Sequence, residues 1–520
     1  MNEIIESFKV KLNNQLNIPI EGILNNSNEK FGILTMKMKS TKLITKPVFL
    51  TFTLDITGSM GEQGGATDPS KSKLDNLKST MCSLVKYLAL CGSPIFIKIN
   101  TFNTNCITIQ ETIRVTEDNF HNVILKINGI YPDGATDIGK ALTKAVEDIN
   151  IYRTSNDNNN EHIIGHIFLS DGEPSAGEHN FDILASLFDT SYPNVFLGFG
   201  VSHNAALFQL FASKSLAEYR FIDNCELSSL IYGEILNKFL HPAVSNAKIT
   251  ISNGEIYNFK TNEWTTTISE DDIATEIERV YHIKTSTPDL LSIDIRGKVT
   301  GIPDDSMDDY DSLDNEIKLL ATTSLPHELL DLVKYIFRQR VQELLYRAKE
   351  FNKKRNYDQN NDEKKELIKD MKELFKKMKD YMTENGLNDD SFFTLLCDDI
   401  HITYTTMDTP MASMFSTSRY YGQGKQLSYC SASPQQISIP QLQHSTFTFG
   451  SPTLFNCAPS TPKRQGVRFG FGGQLPINQT TTGGNDELDM YTPSKVSNTT
   501  CYSTPSVVKT MSALSNKNDI

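Results

Sequence analysis

Residues 49–61 read FLTFTLDITGSMG. Apolar and β-branched residues run as far as Leu54, and Asp55, Thr57 and Ser59 follow at alternate positions. A short run that is apolar on both faces predicts a buried central strand. Polar residues just past the end of such a strand sit where open α/β sheets hold their ligands. One carboxylate and two hydroxyls form an oxygen set suited to a hard cation.

Outward from this stretch, residues 46–240 alternate strand and helix patterns. A helix is expected to open at Asp68-Pro69, carrying Leu74, Leu77, Met81, Leu84, Val85 and Leu88 at helical spacing before Gly92. Strands are expected at Pro94–Thr101, Ile107–Val115, Ile163–Ser170, Asn194–Gly200 and Tyr219–Ile222. Helices are expected at Thr116–Ile127, Asp137–Ile149 and Leu227–Leu240. This order predicts an α/β fold with a doubly wound, mostly parallel sheet.

The flanks read differently. Residues 241–303 show short strands and predict an added antiparallel β domain, with Asn253-Gly254 as a two-residue hairpin turn. Residues 1–45 are polar at first, then alternate over Phe31–Lys39, which predicts one strand that joins the β domain. Residues 304–324 open with DDSMDDYDSLD and read as an acidic linker, since an EF-hand would need a glycine and a terminal Glu that are missing. Residues 325–403 predict a helical hairpin, with apolar stripes from Leu329 to Ala348 and from Leu367 to Met382, and a short helix at Asp390–Ile400. From 404 to 520 the composition turns to Ser, Thr, Pro, Gln, Asn and Gly, which predicts a disordered tail. That tail holds Ser/Thr-Pro dipeptides, Thr504-Pro505 among them, where proline-directed phosphorylation would add about two negative charges.

Composition narrows the function. The chain has 520 residues and net charge -13, of which the tail carries +3 and the remainder -16. An acidic body disfavours nucleic acid, whose phosphates need Lys and Arg. No apolar run is long enough for a membrane span and the N-terminus has no signal-peptide layout, so an intracellular, cytoplasmic or nuclear, protein is expected. The eight cysteines include no CxxC pair, which argues against a zinc ribbon and for reduced thiols.

Three loops then supply oxygen groups: Asp55, Thr57 and Ser59 after the first strand, Thr136 before a helix, and Asp171 at the end of Ile163–Ser170. All belong to the carboxyl edge of one sheet. The turn D-x-T-G-S, the loop G-A-T-D and the strand end S-D-G resemble the metal-ion-dependent adhesion site (MIDAS) of von Willebrand factor A (vWA) domains, over about residues 46–240. The resemblance implies that Asp55, Thr57, Ser59, Thr136 and Asp171 bind Mg2+ or Mn2+. It also implies that a partner protein's acidic side chain completes the shell, and that the chain is a protein-interaction scaffold with no catalytic activity of its own. The alternative is a non-catalytic adaptor subunit, in ubiquitin ligation or beside an AAA-type ATPase, or else a structural or assembly protein.

A haloacid-dehalogenase phosphatase also has an Asp after its first strand, but needs a second Asp where Thr57 stands. P-loop, nucleophile-elbow and HExxH motifs are missing from the sequence. His162, His166 and His179 flank the Asp171 strand and read as ordinary strand-edge or surface histidines. Asp137 reads as a helix cap, and Glu173 as a loop residue within reach of a metal-bound water.

Overall fold

The computed structural model describes residues 4–13, 24, 28–44, 46–63, 70–155, 162–200, 203–222, 228–305, 318–324, 328–330, 332–353, 361–409, 411–427, 491, 493 and 500–515. Two strands, β1 (Ile5–Asn13) and β2 (Lys30–Met38), precede the quoted stretch, which forms β3 (Val48–Asp55). Every residue of β3 is buried. It lies mid-sheet because neighbours cover both its edges and helices both its faces.

The chain continues through α1 (Lys73–Leu90), β4 (Ile95–Phe102), β5 (Cys106–Arg114), α2 (Phe120–Asn128) and α3 (Ile138–Ser155). After these come β6 (Ile163–Ser170), α4 (Phe181–Ser186), β7 (Asn194–Phe199), α5 (Ala205–Ala212), β8 (Ala217–Ile222) and α6 (Ser228–Leu240). The sheet order is β5-β4-β3-β6-β7-β8. Only the edge strand β5 is antiparallel to its neighbour within it. Leu50, Phe52 and Leu54 pack toward α1, α2 and α6. On the other face Phe49 stacks on Tyr152 of α3, with ring centroids 3.8 Å apart. Leu54 is in register with Leu169, so Asp55 ends β3 level with Ser170. That register puts Asp55 and Asp171 at one edge.

Beyond α6 the chain builds a β-sandwich. Its strands are β9 (Pro242–Ser252), β10 (Glu255–Asn258), β11 (Glu263–Thr265), β12 (Thr267–Glu270), β13 (Ile273–Ala274), β14 (Glu278–Thr285), β15 (Ser292–Val299), β16 (Lys318–Ser324) and β17 (Glu328–Leu330). One sheet runs β11-β10-β14-β2-β1-β17 and the other β12-β9-β15-β16, with β13 on β9. The Phe31–Lys39 strand expected to join this domain does so as β2, antiparallel to β14.

Several expectations need correction here. The polar N-terminus hides β1, whose Val10 and Leu12 are buried against β2. Asn253-Gly254 is no hairpin: β9 and β10 belong to different sheets, and the dipeptide is the corner between them. Asn253 takes a positive φ of 61°, and its side chain donates to Leu290 O at 2.8 Å. A Cβ on Gly254 would lie 2.8 Å from Leu291 Cδ1, so the corner needs glycine for close packing. The end of the expected linker is a strand, β16, paired with β15. The acidic run itself lies largely outside the described residues.

The helical layer comprises α7 (Val333–Lys353), α8 (Asn361–Glu384), α9 (Ser391–Thr406) and α10 (Ala412–Lys425). Leu329 and Leu330, expected in the first helix, belong to β17 instead. The expected tail is partly built into the body. Within α10, Arg419 pairs with the buried Asp399 of α9 at 3.1 Å. A last helix, α11 (Pro505–Ser515), buries Val507, Met511 and Leu514 in the same core as α1 and α6. Gly233 of α6 admits it: a Cβ there would lie 3.0 Å from the Met511 backbone. Apart from Thr409-Pro410 and Thr492-Pro493, each half outside, and Thr504-Pro505, the Ser/Thr-Pro dipeptides of the tail lie outside the described residues, as do its aromatic stretches FTFG (447–450) and RFGFGG (468–473). Among the described residues no helix is long and apolar enough to cross a membrane.

Candidate metal centre

Hydrogen bonds between loops assemble the site. The β3 loop turns through Gly58–Gly61, and Gly58 N donates to Gly134 O at 3.1 Å. Asp133 N returns a bond to Ile56 O at 2.8 Å. The third loop joins where Thr136 N donates to Ser175 Oγ at 2.9 Å, and Thr136 O accepts from Ser175 N and Ala176 N. Bonds that are mostly backbone to backbone thus hold three sequence-distant loops in one place.

Inside this frame the oxygens form a chain. Asp55 is fully buried, and its Oδ1 accepts from Thr57 N at 2.8 Å while Oδ2 accepts from Ser170 Oγ at 2.5 Å. Thr57 Oγ1 and Ser59 Oγ are 3.0 Å apart, and Ser59 Oγ donates to Asp171 Oδ1 at 2.7 Å. Asp171 is also fully buried. Thr136 is buried too, and its Oγ1 and Ser59 Oγ lie 3.5 and 3.9 Å from the point where a Cβ on Gly172 would sit. The two hydroxyls therefore face one gap beside Gly172. All five residues singled out in the sequence are brought to the same edge of the sheet.

Two residues of the centre were not anticipated. Ser170 ties the buried Asp55 down. Lys73, at the start of α1, donates to Asp171 Oδ2 at 2.7 Å and to Glu62 Oε2 at 2.9 Å. The expected helix start at Asp68-Pro69 lies outside the described residues; α1 begins instead after Ser72. There a capping box pairs Ser72 Oγ with Asp75 N and Asp75 Oδ2 with Ser72 N, both at 3.0 Å. That start turns Lys73 inward. Only the local pattern S-K-L-D, a Ser three residues ahead of an acid, signalled it.

The electrostatics suit a cation. Burial, reinforced by the facing Asp171, pushes the Asp55 carboxyl up to about 6. Burial alone would lower the Lys73 ammonium, but Asp171 and Glu62 hold it above its ordinary value. Two dry carboxylates facing each other are destabilised by mutual repulsion, and a divalent ion would relieve it. The donor set of two carboxylates and three hydroxyls is the hard-oxygen chemistry of Mg2+ or Mn2+, and fits such an ion. Among the described residues no group of three or more His, Cys, Asp or Glu is placed so that it could hold a metal ion, so at this edge the hydroxyls of Thr57, Ser59 and Thr136 would have to supply part of any cation's shell.

The neighbouring residues fall where ordinary structure puts them. Asp137 caps α3 by accepting from Lys140 N at 3.0 Å. Glu173 is exposed and 3.3 Å from Asn204 Nδ2. His166 is buried mid-strand between Thr53 Oγ1 and Asn194 Oδ1, and burial lowers it to about 4, so it is neutral. His162 bonds Tyr152 at the far end of the strand, and His179 is exposed.

No protein-family model matches the chain, and no curated protein is significantly similar to it. Some solved structures are similar to it. A von Willebrand factor type A protein from Catenulispora acidiphila is similar with a TM-score of 0.48 and 11% identity, over 76% of this chain and 89% of that one. The ArnB paralog VWA2 from Sulfolobus acidocaldarius is similar with a TM-score of 0.46 and 15% identity, over 80% and 97% of the two chains. The PilB minor pilin from Streptococcus sanguinis is similar over 42% of this chain and 75% of its own, with a TM-score of 0.29 and 13% identity.

Proposed function

We propose that the chain is a Mg2+- or Mn2+-dependent protein-interaction module of the vWA type. Asp55, Thr57, Ser59, Thr136 and Asp171 hold the ion, and a carboxylate from a partner protein completes its shell. One observation carries this reading: five oxygen-bearing residues from three separate loops meet at the carboxyl edge of the sheet, with both carboxylates fully buried. The exposed rim acids Asp133 and Glu173 would repel a partner's carboxylate, and the ion's charge would offset them. On this reading the module acts by displaying the ion to its partner. An adaptor subunit is the second reading, favoured by the sandwich and helical layer built onto the sheet domain.

Calorimetric titration of Mn2+ into the full chain tests the site. Binding is expected for the wild type, and loss for Asp55→Ala and Asp171→Ala. Equal binding by all three would refute the metal assignment. Capture of partner proteins with and without EDTA then reads whether the interaction depends on the ion.

A further inference from the structure

We propose that Lys73 is a tethered cation that occupies Asp171 in the metal-free protein and is displaced by the divalent ion, so that this lysine sets the metal affinity of the site. The inference rests on the metal-site reading above and adds a determinant which that reading does not contain.

The two carboxylates of the centre are not equivalent. Asp55 is satisfied by neutral donors, Thr57 N and Ser170 Oγ. Asp171 already has a cation: its Oδ2 lies 2.7 Å from Lys73 Nζ, while Ser59 occupies Oδ1. The Lys73 side chain is only 8% exposed and that of Asp171 is fully buried, so this is an internal ion pair and not a surface one. The backbone around it is pinned. Lys73 N donates to Glu62 O at 2.9 Å, and Gln63 bridges Ser72.

The second partner explains how the lysine can leave. Glu62 Oε2 accepts from the same ammonium at 2.9 Å, and its side chain is 64% exposed. A lysine stem is flexible and its head carries three rotatable donors. The ammonium can therefore withdraw from Asp171 toward Glu62 and solvent without becoming an unpaired buried charge. A divalent ion at the hydroxyls would approach Asp171 from the Oδ1 side, and its two positive charges would repel the ammonium held on Oδ2 of the same carboxylate. Ion binding and the Lys73–Asp171 pair thus oppose each other. Part of the intrinsic affinity for the ion is spent on breaking the pair, as for any ligand that must displace an internal competitor.

Mn2+ titrated calorimetrically into the full-length wild type, Lys73→Met and Lys73→Arg decides the matter. Lys73→Met is expected to bind Mn2+ about tenfold more tightly, the equivalent of about 1.4 kcal/mol, and Lys73→Arg to stay near the wild type. Binding by Lys73→Met equal to or weaker than wild type overturns the role of Lys73 while leaving the metal site standing. No binding by either protein overturns both. A measurement on the wild type alone covers the case in which Lys73→Met does not fold: acetylation of the Lys73 amine by a soluble reagent, read by peptide mass spectrometry. Labelling is expected to rise several-fold when Mn2+ replaces EDTA, and unchanged labelling refutes displacement.

Discussion

Replacing Asp55 by Asn is expected to remove a pH dependence of stability in the metal-free protein. In the folded chain burial, with the charge of Asp171 adding, holds the Asp55 carboxyl near 6, against an ordinary value of 3.8. The native state thus binds this proton more tightly than the unfolded chain. Asp55 contributes stability that is complete below about pH 4 and lost as the pH rises through about 6. The full gap is worth about 3 kcal/mol, at about 1.4 kcal/mol per pH unit. About 2 kcal/mol of it falls between about pH 4.5 and about pH 7.5. His166 and His203 act in the opposite sense, because burial lowers both to about 4 and their contribution is lost as the pH falls. The raw stability curve therefore mixes opposing slopes, and the difference between wild type and Asp55→Asn isolates the one of interest. Urea unfolding in EDTA across that range should show the variant gaining about 2 kcal/mol on the wild type as the pH rises. Asn keeps an oxygen for Thr57 N, so any constant offset from the altered Ser170 bond does not affect the slope. Saturating Mn2+ should reverse the wild-type trend, since ion binding requires ionised carboxylates. Parallel curves for the two proteins in EDTA would refute the claim that Asp55 is held protonated by its surroundings.

Two further outcomes follow from packing. Gly254→Val should destabilise the chain by about 2–3 kcal/mol, because its Cβ would lie 2.8 Å from Leu291 Cδ1 and 2.9 Å from Lys284 O; wild-type stability in urea would show that the corner is not tight. Met511→Ala should cost about 2–4 kcal/mol at most and raise hydrogen exchange along α11, and adding Leu514→Ala should cost less than its own single effect, because α11 can undock. Full additivity would show that α11 is an integral part of the core.

Much of the sheet domain was legible because its signals are local. The β3 run is apolar on both faces, and α1 repeats its apolar residues every three or four positions, so burial can be read from pattern. The oxygen residues were legible for a related reason: each sits at a strand end or helix start, and the alternation of elements sends all those ends to one edge. The misses came from pairing at a distance. Asn253-Gly254 meets the local requirements of a turn, but which strands pair is decided by the sheets, and here each strand goes to a different one. α11 was hidden by composition, since Thr500–Ser515 is rich in Ser and Thr although Val507, Met511 and Leu514 keep helical spacing. The Lys73–Asp171 pair joins residues 98 positions apart.

The sequence alone determined the succession of strands along the central domain and the five oxygen residues at their ends, because backbone propensity and side-chain periodicity act over a few residues. Only the tertiary structure decided that Ser170 holds Asp55, that Lys73 enters the site, and that the chain's last described helix closes over α1 and α6. Those contacts arise when register and packing bring distant segments together, and no short-range pattern in the chain encodes the distance between them.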